Sequence, residues 1–337
     1  MDSLTQIVLG GAVGNALLGE KLKNKAVLYG AIAGTIPDLD VLAIFFTDPI
    51  RALEFHRGIT HSILFAIFGA FLFGFFLYWM EKKRGVTYEE GVWLFFWGFF
   101  THAALDVFTT WGTRVLWPLD YSFAFKSIFV IDPLYTLPFL FFLIRSMREK
   151  TDMKRRLRLN RLGLYVSSAY LGLTLLLKAI AFYSFTDALD QQQVTYKAMS
   201  VKPTVMNTIL WTAIVETEEA FLIGEHSFFS SAPIVFKSYP KNKGLIRGLE
   251  KHNLIHRLVR LSEGYYTFSE VNNEIYFNDL RFGVLKEEGG EVQFAFSYQF
   301  YLDDKGELNA KEVKKDRRDG VKLLKSIGRK IVGLEED

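Results

Sequence analysis

The chain has 337 residues, half of them hydrophobic, with 32 phenylalanines and a formal net charge of +3. That much phenylalanine argues against a wholly soluble protein, and the absence of cysteine excludes disulfides and thiolate metal sites. Apolar runs of about 18 residues or more mark membrane spans; they occur before residue 186 and not after it, so the chain reads as a membrane half, 1–186, and a soluble half, 187–337.

The opening stretch, MDSLTQIVLGGAVGNALLGEK, lacks a basic leader and does not read as a cleaved signal peptide. Leu4–Leu18 is the first apolar segment, and its Gly10-x-x-x-Gly14 spacing suits close helix packing. Ala26–Phe46 is the second, interrupted by Pro37, Asp38 and Asp40. Pro37 is expected to kink or end a helix there. Ser62–Met80 is the third and ends in Glu81-Lys82-Lys83-Arg84. Gly91–Trp111 is the fourth and carries His102-x-x-x-Asp106, two polar side chains on one helical face. Ser127–Ile144, broken by Asp132-Pro133 and Pro138, is the fifth, and Leu162–Phe185 the sixth. Basic residues at Lys21–Lys25, Lys82–Arg84 and Arg145–Arg161 follow the first, third and fifth segments. With six crossings, the positive-inside rule places all three on the cytoplasmic side. Lys and Arg alone set that orientation, yet it gathers Asp2, Asp38, Asp40, His56, His61, His102 and Asp106 toward the outer face.

Beyond Thr186 the pattern changes. Asn207–Thr217, Ala220–Ile223, Glu274–Phe282 and Val292–Leu302 read as strands, the last with strict alternation. Gly289-Gly290 and Asp303-Asp304-Lys305-Gly306 are turn signals. Lys243–Arg260 and the basic amphipathic tail Ala310–Val332 read as helices. The expected fold is therefore an α-helical integral membrane domain of about six segments, followed by a smaller, extracytoplasmic, mostly β (α+β) domain.

Neutral imidazoles and carboxylates are the usual ligands of zinc and related ions. Charged groups inside an apolar segment are costly unless paired or bound to a cation. Asp38, Asp40, His56, His61, His102 and Asp106 form a sufficient set for one or two divalent ions, with Asp2 in reserve; zinc is the first expectation, manganese and magnesium the others. Asp40 and Arg57 are the candidate catalytic residues. Arg57 suits a phosphate oxygen, since guanidinium binds oxyanions in a bidentate manner; an ion pair with Glu54 or Asp40 is the competing role. His252 and His256, also four residues apart, read as a solvated helix face. The Arg145–Arg161 block suits anionic lipid rather than nucleic acid.

Several stretches together resemble a known family: MDSLTQ, GTIPDLD at 34–40, HRGITHS at 56–62, THAALDVFTTWGT at 101–113 and IDPLYTLP at 131–138. They are similar to the LexA-binding, inner-membrane-associated, metal-dependent hydrolases of bacteria and archaea. The resemblance covers residues 1–185 and extends more loosely through PTVMNTILW (203–211) and NDLRFG (278–283). It implies a prokaryotic inner-membrane protein and a distant similarity to zinc-dependent phospholipase C and P1 nuclease. In that group a His-x-x-x-Asp pair binds zinc, which His102 and Asp106 match, and an N-terminal amine is a ligand, which would fall at Met1 or its neighbourhood. The membrane half lacks the group's His-x-x-x-Glu helix, so one or two ions are expected rather than three.

The resulting expectation is a membrane-embedded hydrolase that cleaves a phosphoester of a lipid or lipid-linked substrate at the outer face. A metal transporter or sensor, and a scaffold whose β domain binds a partner, are the rivals.

Overall fold

The computed structural model describes residues 1–47, 50, 56–288, 291–304, 306–313 and 317–332. Glu54, the Gly289-Gly290 turn and Lys305 lie outside the described residues. The chain divides into two units, Met1–Leu177 with Met206–Thr208, and Lys178–Val205 with Ile209–Asp337.

In the first unit, helix α1 (Ser3–Leu22) starts where the Asp2 side chain accepts a hydrogen bond from the Thr5 amide. Lys23, at φ +51°, turns the chain into α2 (Asn24–Thr35). These two helices touch backbone to backbone. A Cβ on Gly10 would lie 2.3 Å from the Gly30 carbonyl oxygen, and one on Gly14 2.2 Å from that of Ala26. Only glycine permits that approach.

Pro37 closes the α-helical run, and Ile36–Phe45 continues as a 3-10 helix. A single 3-10 turn, Ile59–His61, leads to α3 (Ile63–Glu81), capped by the Ser62 hydroxyl. Helix α4 (Tyr88–Asp106) opens with a Thr87/Glu90 capping box. It ends earlier than the expected segment because the Asp106 carbonyl accepts from both the amide and hydroxyl of Thr109, closing a tight turn. Helix α5 (Pro133–Arg148) is capped by Asp132, and α6 (Met153–Gln191) runs on for 39 residues. The unit boundary falls inside α6.

The count of membrane segments differs from the expected six. Among the described residues, three helical stretches are long and apolar enough to cross a membrane: Asn24–Phe45, Ile63–Arg84 and Met153–Gln191. The others fall short for physical reasons. Helix α5, with 16 residues, spans about 24 Å, less than a hydrocarbon core of about 30 Å. Helix α4 carries Glu89, Glu90 and Asp106, and α1 carries buried Gln6 and Asn15.

One apolar cluster joins Val8, Leu9 and Ala12 of α1 to Leu105 and to Tyr135, Phe139 and Leu143 of α5. A second joins Leu18, Ala33, Ala66, Leu77, Phe95 and Phe99. The candidate site lies where α1, the end of α2, the 3-10 turns and the end of α4 meet.

The second unit holds two four-stranded antiparallel sheets in simple meander order. The first contains β1 (Ala198–Pro203), β2 (Leu210–Glu216), β3 (Ala220–Ser227) and β4 (Phe236–Pro240). The second contains β5 (Tyr266–Val271), β6 (Glu274–Glu288), β7 (Glu291–Leu302) and β8 (Leu308–Glu312). Ile214, Phe221, Ile223 and Tyr239 from one pack on Leu280 and Phe294 from the other, the usual way two half-apolar sheets bury their faces.

Both expected helices in this half are shortened. Gly248, at φ +89°, separates a 3-10 turn at Lys243–Ile246 from α7 (Asn253–Leu261). Residues 310–312, expected at the start of the tail helix, instead pair with Tyr298–Phe300 in the β7–β8 ladder, and α8 spans Arg317–Ile331. Pairing with a neighbouring strand overrides local helical preference.

Candidate metal centre

Asp38 stands in the 3-10 helix after Pro37, His61 ends the 3-10 turn before α3, and His102 and Asp106 are one turn apart on α4. Both histidines and Asp106 are buried, at 1% exposure or less. One ligand atom from each of the four residues lies within 4.8 Å of all the others.

Hydrogen bonds decide which histidine nitrogens face inward. His102 Nδ1 is 2.7 Å from the Gly34 carbonyl oxygen, which can only accept, so Nδ1 carries the proton and Nε2 keeps its lone pair. His61 Nδ1 is 3.0 Å from Thr60 Oγ1, and that hydroxyl donates to Asp40 Oδ2 at 2.7 Å. His61 Nε2 is thereby also turned inward.

The inward atoms are close together. His61 Nε2 is 3.1 Å from His102 Nε2, 3.3 Å from Asp38 Oδ1 and 3.4 Å from Asp106 Oδ2. His102 Nε2 is 3.4 Å from Asp38 Oδ1 and 3.8 Å from Asp106 Oδ2. A tetrahedral zinc with bonds of about 2.0–2.1 Å sets its ligands about 3.3–3.4 Å apart. Five of the six separations are of that order and all four atoms lie within 4.8 Å of one another, so the group can hold one cation. Asp106 Oδ2 is buried and makes no hydrogen bond, which also fits a ligand oxygen. Electrostatics agree. Burial alone would strip the His61 imidazolium of its proton, yet the neighbouring carboxylates of Asp106, Asp38 and Asp40 outweigh it and hold the pKa up at about 10. The carboxylates thus favour positive charge at this point.

Two of the six expected ligands stand beside the four. Asp40 has both oxygens engaged: Oδ1 with His56 Nδ1 at 2.7 Å, and Oδ2 with the Arg57 amide at 3.1 Å and the Thr60 hydroxyl. It buttresses His61 from behind, the position of a carboxylate that orients a ligating histidine. His56 is held by Asp40 at the partly exposed rim. Asp2 caps α1. Among the described residues no second such group is found, and His252 caps α7 by accepting from the Leu254 amide.

Arg57 is buried and adopts φ +61°, a left-handed backbone that bulky residues seldom take. Asp40 receives its amide and the Arg114 amide bonds its carbonyl. Its Nη1 donates to Thr109 Oγ1 at 2.7 Å, while its Nε lies 3.4 Å from Asp106 Oδ2 without a hydrogen bond. Met1 and Gln6 complete the floor. The Met1 amine donates to Asp106 Oδ1, and burial pushes its pKa down. Gln6 is buried beside the same carboxylate. Of these residues, Gln6, Thr60 and Thr109 are neither imidazoles nor carboxylates and carry no metal-ligand signal in the sequence. The one signal for Gln6 is an uncharged polar residue inside an apolar segment.

The first unit is thus a bundle of helices, three of them of membrane-crossing length and apolarity, around a buried centre of two histidines and two aspartates able to hold a metal ion. The model of the YdjM inner membrane protein family matches residues 1–181, and the chain belongs to that family. The match bears out the inner-membrane expectation. No curated protein and no solved structure matches the chain.

Proposed function

We propose that this protein is a metal-dependent hydrolase of the inner membrane that cleaves a phosphoester of a lipid or lipid-linked molecule. The observation that carries the reading is the meeting of Asp38, His61, His102 and Asp106 at spacings that suit a single divalent cation. Zinc is the first expectation, from the tetrahedral spacing and the mixed nitrogen and oxygen donors. Such an ion, when bound, lowers the pKa of water enough to supply a nucleophile at neutral pH and polarises a phosphoryl oxygen.

The chain's own residues supply the rest. Arg57 holds a buried Nε–H with no acceptor in hydrogen-bond geometry, which suits an oxyanion of the substrate. Thr109 and the Asp40 contact to its amide hold it in place. Asp38 and His56 are the more exposed members, with side chains 25% and 30% accessible, so substrate enters past them. His56, paired with Asp40, is placed to pass a proton to or from the entering group. The lipid part of the reading rests on the surroundings. Leu39, Val41, Leu42, Phe45 and Phe46 are exposed next to the two aspartates. An almost wholly apolar cavity of about 310 Å³ lies between α3 and α4, bounded by Ile63, Ala66, Phe100, Ala103, Val107 and Phe125. We further infer that the site faces the outer leaflet and that the β-rich unit is extracytoplasmic, following the distribution of Lys and Arg.

Elemental analysis of the detergent-purified protein beside His102→Ala and Asp106→Ala tests the centre. The wild type is expected to carry about one divalent ion and the variants to lose it. Equal metal content in all three would refute the assignment. Mixed micelles of phospholipids and lipid diphosphates then test the reaction: released phosphate or headgroup supports it, whereas metal binding without turnover favours a transporter or sensor.

A further inference from the structure

Helix α1 brings to the centre a residue that is neither imidazole nor carboxylate. Gln6 is buried at 1% exposure. Its Nε2 donates to Asp106 Oδ1 at 3.0 Å and to the His102 carbonyl oxygen at 3.3 Å. Both partners are acceptors, so the network itself orients the amide, with its nitrogen toward them. The amide oxygen on the other side is buried and has no hydrogen-bond partner.

An orphaned oxygen of this kind is unusual in a folded protein, because water has been removed and nothing replaces it. It is also not alone. Asp106 receives the Met1 amine and the Gln6 amide on Oδ1, and its Oδ2 makes no hydrogen bond. Two buried oxygens without a hydrogen-bond partner thus lie on two residues that are bonded to each other. A divalent cation held at Asp106 is a partner suited to both. Neutral amide oxygens are accepted ligands of hard and borderline divalent ions.

We propose that Gln6 is a fifth member of the cation site, an inference that rests on the metal centre described above. Its amide nitrogen turns Asp106 so that Oδ2 faces the two histidines, and its amide oxygen is a donor to the same ion. The donor set is then two imidazole nitrogens, two carboxylate oxygens and one amide oxygen. That set is harder than a histidine-only site and admits manganese beside zinc.

The test uses the full-length protein in detergent, stripped with a chelator and titrated with zinc and, separately, manganese at fixed pH. The variants are Gln6→Leu and Gln6→Glu. If Gln6 is a ligand, Gln6→Leu weakens binding roughly 10–100-fold, on the scale of other losses around a metal site, and Gln6→Glu binds as tightly as the wild type or more tightly. If Gln6 only holds Asp106 in place, the glutamate loses that donor and sits against a like charge, so both variants weaken; that result overturns the proposal. Unchanged affinity in Gln6→Leu overturns it as well. Gln6→Glu is isosteric, so it decides the question alone should Gln6→Leu fail to fold. A wild type that binds neither metal overturns the centre itself, a failure distinct from loss of the Gln6 pattern.

Discussion

Replacing Gly30 by alanine tests the packing on which the centre is built. A Cβ at that position would lie 2.1 Å from the Gly10 carbonyl oxygen and 2.8 Å from both the Gly14 Cα and its amide nitrogen. Ordinary carbon contacts begin at about 3.5 Å, so α1 and α2 must part by roughly 1 Å or more. The obstruction is backbone on the facing helix, which has no rotamer to change. Overpacking costs about 1–3 kcal/mol, and the upper end applies where nothing can swing aside. Alanine recovers about 1 kcal/mol in helix propensity, leaving a net loss of about 2 kcal/mol by that same reckoning. The damage extends to the site. Helix α2 ends at Thr35, next to Gly34, whose carbonyl accepts from His102 Nδ1 at 2.7 Å, and the chain then runs on to Asp38. Thermal unfolding in detergent, followed by helical circular dichroism, should show Gly30→Ala melting well below the wild type, with weaker metal binding when folded. Gly172→Ala is the control: it lies in α6 with nothing within 4 Å of the added methyl, so it should be neutral or stabilising. Equal stability of Gly30→Ala and Gly172→Ala would refute the reasoning.

Other substitutions separate the roles around the ion. Asp40→Asn keeps all four inward-facing atoms but weakens the support of His61; metal affinity should fall roughly 10–100-fold, measured by chelator competition. Arg57→Gln should retain the ion yet lose roughly 10²–10³-fold in turnover of a phosphoester substrate. Arg57→Lys should not restore it, since lysine lacks the planar fork; full activity in either variant would remove Arg57 from substrate binding. Metal occupancy should decline as pH falls, because histidine and carboxylate must be deprotonated to bind, and a pH-indicator titration should detect protons released on loading.

Much of the architecture is local information. The apolar runs, the proline at 37, the Asp132-Pro133 pair and the alternation of Val292–Leu302 each act within a few residues, and the corresponding helix boundaries and strand are found. Elements that depend on a distant partner carry little local signal. Strands β1, β4, β5 and β8 carry weak patterns and are held by their neighbours' ladders. Apolarity along the chain suggests six spans, but it does not show that the polar Gln6 and Asn15 side chains of α1 are buried within the protein.

The centre shows the same division. Residue chemistry singled out Asp38, Asp40, His56, His61, His102 and Asp106 as a group, because such side chains are costly in an apolar chain unless they meet. Tertiary structure alone chose among them. The Gly34 carbonyl and the Thr60–Asp40 pair turn two Nε2 atoms inward, the hydrogen bonds of Asp40 draw it and His56 aside, and close approach of α1 brings Gln6 against Asp106. Polarity along a chain can say which groups need a partner; which lone pair is left free depends on hydrogen bonds from segments far away in sequence, and those exist only once the helices have packed.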